Sequence, residues 1–135
     1  MRALRLLLAV VTLLVASFLA HAQPVREADS VLGRYKGSYT VLVAEFGFQR
    51  VGVTLEITSA AGGTVTGKAI RGSAPNHGTC RGDYKVAGTL KGKSLVLRSI
   101  EKSGLARDCD IALDLTWSGK KLVGTVDGNE AKFSK

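Results

Sequence analysis

Apolar residues recur at every second position through a succession of short runs, and each run ends near a glycine. The clearest run is 51–58, where Val51, Val53, Leu55 and Ile57 alternate with Gly52, Thr54, Glu56 and Thr58. Strict period two puts the four apolar side chains on one face and the small or polar ones on the other. That is the pattern of a strand with one buried face. No stretch after residue 22 predicts a helix.

The same reading gives eight strands. The first covers 34–44, with Tyr35, Gly37, Tyr39, Val41 and Val43 on one face. The third covers 64–71, with the small residues Val65, Gly67 and Ala69 inward. The fourth carries Tyr84, Val86 and Leu90 inward, the fifth Leu95 and Leu97, and the sixth Ile111, Leu113, Leu115 and Trp117. The seventh covers 121–126, and the eighth covers 130–135 with Phe133 inward. The Lys91-Gly92-Lys93, Ser118-Gly119-Lys120 and Asp127-Gly128-Asn129 segments carry tight-turn chemistry.

Eight short strands joined mostly by tight turns make an up-and-down antiparallel meander. An open meander leaves two unpaired edges, and closing it into a barrel removes both. Gly67, Gly88 and Gly124 each fall mid-strand, where closure needs bends. The expected fold is therefore all-β, an eight-stranded antiparallel up-and-down β-barrel, with a β-sandwich as the alternative.

Residues 1–22 stand apart. Arg2 and Arg5 precede an apolar stretch from Leu6 to Leu19, and Ala20-His21-Ala22 suits a small-x-small cleavage site. The apolar stretch falls short of the roughly 20 residues a spanning helix needs. The expected organisation is a cleaved signal peptide over 1–22, a flexible leader over 23–32 and a single barrel domain over 33–135. Loss of Arg2 and Arg5 would lower the formal net charge from +8 to +6. The chain is expected in the periplasm or secreted, with no membrane insertion after cleavage, as a monomer.

Cys80 and Cys109 are the only two cysteines, and in an oxidising compartment they are expected to form a disulfide. Parity places the connections after odd-numbered strands at one end of a meander. Three longer segments, 45–49, 72–81 and 101–108, fall there with both cysteines. Strands four and six are separated by strand five, about 9–10 Å at strand spacing. A bridge between them requires the segment around Cys80 to fold across.

At this point the chain resembles the calycins, the lipocalin and fatty-acid-binding-protein superfamily of small barrels with one closed and one loop-rich end. Gly33-Arg34-Tyr35 sits where that superfamily opens its first strand with Gly-x-Trp, and Gly82-Asp83-Tyr84 is similar to its Thr-Asp-Tyr signature. The resemblance implies a ligand-binding barrel mouth guarded by the first loop, here 45–49.

Candidate binding residues follow from the loop-rich end: Phe46, Phe48, His77, Arg81 and Arg107. Two phenylalanines flanking Gly47 either cover a core as a lid or meet a ligand or partner. Arg71, Arg81, Lys102 and Arg107 would make a basic rim at the same end. No catalytic residue, metal ligand or cofactor is expected. The mature chain has one histidine, His77, with no second ligand at metal spacing, and its carboxylates scatter. Nucleic acid is not an expected partner, because no strand face interleaves aromatic and basic residues. The expected function is an exported binding module whose loops contact a small apolar or anionic ligand. The alternative is a protein-interaction or inhibitor module that meets an envelope or extracellular protein through the same loops.

Overall fold

The structure, a computed structural model, describes residues 31–73, 80–103 and 109–135. It is a closed barrel of eight antiparallel strands in sequence order. The strands are β1 (Gly33–Val43), β2 (Gly47–Ser59), β3 (Thr64–Arg71), β4 (Gly82–Lys91), β5 (Ser94–Ser103), β6 (Ala112–Ser118), β7 (Lys121–Val126) and β8 (Asn129–Ser134). A 3-10 turn, Ala61–Gly63, joins β2 to β3. β1 closes on β8 through four residue pairs, from Lys36 with Ser134 to Tyr39 with Ala131.

The alternation dictates the interior. Val51, Val53, Leu55 and Ile57 are buried, as are Leu95 and Leu97, Leu113, Leu115 and Trp117, and Phe133. At about 25 cal/mol per Å² of apolar surface, this core is the main favourable contribution to folding. Gly88 shows why the mid-strand glycines sit there. A Cβ on it would drive into the carbonyl oxygen of Val96, and one on Gly124 into that of Asp114. The strands cross too closely at those points for any side chain.

Two strands run past their expected limits. β2 begins at Gly47, eight residues after Tyr39 and four before Val51, so 47–49 are strand and not loop. Residue 42 pairs with 48 and 43 with 47, and positive φ at Glu45 and Gly47 lets the chain reverse within 44–46. The Phe46 N–H donates to the Val43 carbonyl at 3.1 Å. β5 continues through Ser103, with Ile100 as the extra residue of a bulge opposite the Lys85/Val86 step.

The closed end is sealed by the residues entering β1. Val31 is fully buried, its carbonyl accepts the Tyr35 hydroxyl at 2.9 Å, and Leu32 packs on the core. These two residues, expected in the leader, therefore belong to the folded domain. The Lys135 ammonium lies 5.2 Å from the centre of the Tyr35 ring. Among the described residues, no helix is long and apolar enough to cross a membrane.

Candidate functional site

The end opposite Val31 carries the connections after β1, β3, β5 and β7. Three features meet there: a disulfide, a buried arginine and a projecting hairpin.

Cys80 and Cys109 are bonded, with their Cα atoms 5.6 Å apart. Cys80 precedes β4 and Cys109 precedes β6, so the bridge spans the top of β5. β5 leaves room for this, because its pairing with β6 stops at Arg98 with Ala112. The Tyr84 hydroxyl donates to the Cys80 carbonyl at 2.5 Å and ties the bridge to the barrel.

Arg71 closes the mouth from within. Counting inward positions along β3 through Val65, Gly67 and Ala69 leads to residue 71, and the side chain is indeed only 5% exposed. Its guanidinium stands over the Tyr84 ring at 5.0 Å and the Tyr39 ring at 5.9 Å. One terminal nitrogen donates to the Asp127 carboxylate at 2.8 Å and to the Asp110 carbonyl at 3.1 Å. Nε has no partner among the described residues. Asp127 also accepts the Ala112 N–H at 2.8 Å, so the β7–β8 turn is held on β6.

The expected basic rim does not form as drawn. Arg71 lies under the mouth rather than on it, and Asp127 neutralises it. Lys102 pairs with Asp110 at 2.9 Å. That hydrogen bond, then the charge of Lys102, holds the Asp110 carboxyl below the usual carboxylate range. Burial pushes the Tyr39 and Tyr84 hydroxyls up, against the opposing pull of Arg71.

A cleft of about 380 Å³ opens above Arg71, lined also by Tyr39, Val41, Asp110, Asp127 and the disulfide. Among the described residues its charged lining is one arginine and two aspartates, which offer little net positive charge to an anion. Below it the described side chains fill the barrel: Tyr35, Tyr84, Leu55, Leu97 and Leu113 are all fully buried.

The third feature is the β1–β2 hairpin. β1 leaves β8 after Tyr39, and the β2–β3 ladder ends at Val53 with Arg71, one further hydrogen bond running from the Gly72 N–H to the Gly52 carbonyl at 2.8 Å. Residues 40–43 and 47–50 therefore form about 13 Å of two-stranded ribbon past those pairs, with Val41 on its inner side still packed against the core. Leu42 and Phe48 face each other across it on its outer side and are 66% and 75% exposed. Phe46, in the turn, is 54% exposed. Neither phenylalanine is a lid. Parity explains Phe48: Val51 and Val53 point inward, so the even-numbered residues of β2 point out.

Of the expected binding residues, Phe46 and Phe48 share this hairpin. Arg81 is exposed just before β4 and does not line the cleft that Phe48 lines. His77 and Arg107 lie outside the described residues. The partners that sequence reasoning missed are Leu42 and Arg50. An apolar residue at an outward position of β1 was the available signal. Among the described residues, no group of three His, Cys, Asp or Glu side chains could hold a metal ion.

The architecture, a closed eight-stranded antiparallel barrel, is consistent with a calycin-like one. No protein-family model, no curated protein and no solved structure matches the chain.

Proposed function

We propose that the protein is an exported binding module that recognises a polypeptide partner through the hairpin at the open end of its barrel. Export rests on residues 1–22, which read as a cleaved signal, and the disulfide is compatible with an extracellular or periplasmic compartment. The carrying observation is the exposure of Leu42, Phe46 and Phe48 on one ribbon that projects past the barrel. Large apolar side chains gathered on a rigid scaffold mark interaction sites. The filled interior leaves little room for an enclosed apolar ligand of ordinary size.

The test is site-specific photo-crosslinking in the native envelope. A photoreactive phenylalanine analogue at Phe48 is expected to give discrete protein adducts that Leu42→Ser suppresses. The same analogue at Lys120, at the closed end, is expected to give none. Adducts at Lys120 but not at Phe48 would overturn the reading. Phe46→Ala with Phe48→Ala is expected to remove binding while leaving the melting temperature nearly unchanged, because both rings are exposed.

A second reading keeps a small acidic ligand at the mouth. It is favoured by the buried Nε of Arg71 beneath the cleft, which has no partner among the described residues. Under it, Arg71→Met would abolish binding of a small carboxylate and the hairpin substitutions would not.

A further inference from the structure

The hairpin offers more than an apolar surface. β1 pairs with β8 only as far as Tyr39 with Ala131, while its other edge stays paired with β2 up to Val43 with Gly47. Residues 40–43 thus present one edge of main-chain N–H and C=O groups with no strand beside it among the described residues. A furrow of about 430 Å³ runs where β8 parts from β1, lined by Ser38, Tyr39, Thr40, Phe48, Arg50, Glu130, Ala131 and Lys132. Its floor is the outer face of β1, and Phe48 forms part of its upper wall.

The charges around this edge are uneven. Thr40 pairs with Arg50, Ser38 with Lys132, and Lys36 sits two residues further down the same outer face. Glu130 is the one carboxylate in the furrow lining. Neither Arg50 nor Lys132 has a carboxylate partner among the described residues, although most other cations of the barrel wall do: Arg34, Lys68, Lys85 and Arg98 each hold one. Leu42, Phe48, Arg50 and Lys132 share the outer face beside this open edge, so together they are complementary to an extended acidic segment that carries an apolar residue and a carboxylate two positions apart, on one face.

We infer that residues 40–43 of β1 are a docking edge to which an extended, acidic segment of the partner polypeptide adds as a further strand. Its main chain pairs with β1, and its outward positions carry an apolar side chain opposite Leu42, beside Phe48, and two residues away a carboxylate opposite Thr40, between Arg50 and Lys132. Main-chain pairing supplies affinity in such additions, and the flanking side chains supply selectivity. A second copy of this chain fits less well, because edge-to-edge pairing would join two chains of like formal charge, +6 each once Arg2 and Arg5 are lost from +8. The inference rests on the polypeptide-recognition reading above and specifies how that site would work.

The test uses the full mature chain, oxidised and labelled with 15N, and three synthetic decapeptides. One repeats Val-Thr-Asp-Thr, which sets valine and aspartate on the same face, one repeats Val-Thr-Lys-Thr, and one repeats the acidic sequence with alternate backbone nitrogens methylated. The acidic peptide is expected to slow amide exchange within 40–43 by at least about tenfold, because added pairing removes those amides from water. The lysine peptide and the N-methylated peptide are expected to leave exchange there unchanged. Arg50→Glu with Lys132→Glu is expected to weaken the acidic peptide roughly three- to tenfold, the scale of two exposed charge contacts. Equal binding of the N-methylated peptide would overturn strand addition. Equal binding of the lysine peptide would overturn the acidic assignment. Protection of 40–43 in the free protein, together with a dimer in sedimentation, would give the edge to a second copy and overturn the proposal. Failure of all three peptides while Phe48 still crosslinks to a partner would sink this inference and leave polypeptide recognition standing. Loss of the Phe48 crosslinks would sink the broader reading by itself.

Discussion

Arg71 is only 5% exposed, and several neighbours answer its guanidinium: the Asp127 carboxylate, the Asp110 carbonyl and two tyrosine rings. The two members of the ion pair are not equivalent. Asp127 is a third exposed and has the Ala112 N–H as a second partner, whereas Arg71 is almost wholly inside. Asp127→Asn should therefore destabilise by about 3 kcal/mol, since it strands a buried charge. Arg71→Met keeps most of the volume over the rings and leaves Asp127 partly in water, so its cost should stay below about 1.5 kcal/mol. Urea denaturation of both variants gives the comparison, and the reverse order would mean the pair is not what holds the mouth. The tyrosines supply a pH counterpart. Burial is the first cause that raises Tyr35, Tyr39 and Tyr84, so the fold favours their neutral forms. A folded value above the unfolded one, about 10, contributes stability that is present below pH 10 and is lost as pH rises through the folded value. Absorbance titration should show these three tyrosines, all the chain has, ionising above pH 10 and together with unfolding. Tyrosinate forming at pH 10 in a still-folded barrel would contradict their burial.

Among the elements, glycine placement and strand parity make separate demands. Gly88→Ala puts a Cβ against the Val96 carbonyl and should cost about 3 kcal/mol or more. Gly52→Ala, on the outer face of β2 with open space around it, should be neutral or stabilising by about 0.4–1 kcal/mol. Similar effects at both sites, compared by thermal melts, would mean β4 and β5 do not cross as closely as described. Parity has its own test: Leu55→Asp should prevent folding, because it buries an unpaired charge, and Thr54→Asp should be mild. A circular-dichroism melt separates them, and equal midpoints would put β2 in the wrong register. Strand parity was the legible part of this molecule, since period two in the sequence is the pleat itself. The order of the strands followed from the short turns. The extent of β2 was not legible, because Glu45-Phe46-Gly47-Phe48 looks like an interruption once its aromatics point outward with no core to cover. Nor was the burial of Arg71 read correctly. Its inward parity was visible, but a cation there is tolerable only with Asp127, which is 56 residues away and reaches it through barrel closure.

At the scale of the whole molecule, the two barrel ends are held by different means. The closed end is packed through Val31, Tyr35 and Lys135, all of them close to β1 and β8. The open end is tied by the Cys80–Cys109 bond across β5, with a sequence separation of 29. None of the eight strand pairings passes through that bond. The disulfide therefore acts chiefly on the unfolded chain, and a loop of this length is worth roughly 3–4 kcal/mol on the chain-entropy account. Reduction and alkylation should lower stability by about that amount and leave the barrel assembled. Amide shifts of β1, β2, β7 and β8 should barely move, while those around Cys80, Tyr84 and Cys109 should change, because the Tyr84 hydroxyl rests on the Cys80 carbonyl. The β1–β2 hairpin draws its shape from its own register and turn, so its shifts should be among those that persist. Denaturant titration of oxidised and reduced protein, each checked by 15N correlation spectra, measures both effects. If the hairpin amides move together with those around the bridge, the mouth and the hairpin are one unit, and the recognition we propose would depend on the redox state of the bond. If they stay fixed while the midpoint drops, the shape of the hairpin is independent of the staple at the same barrel end.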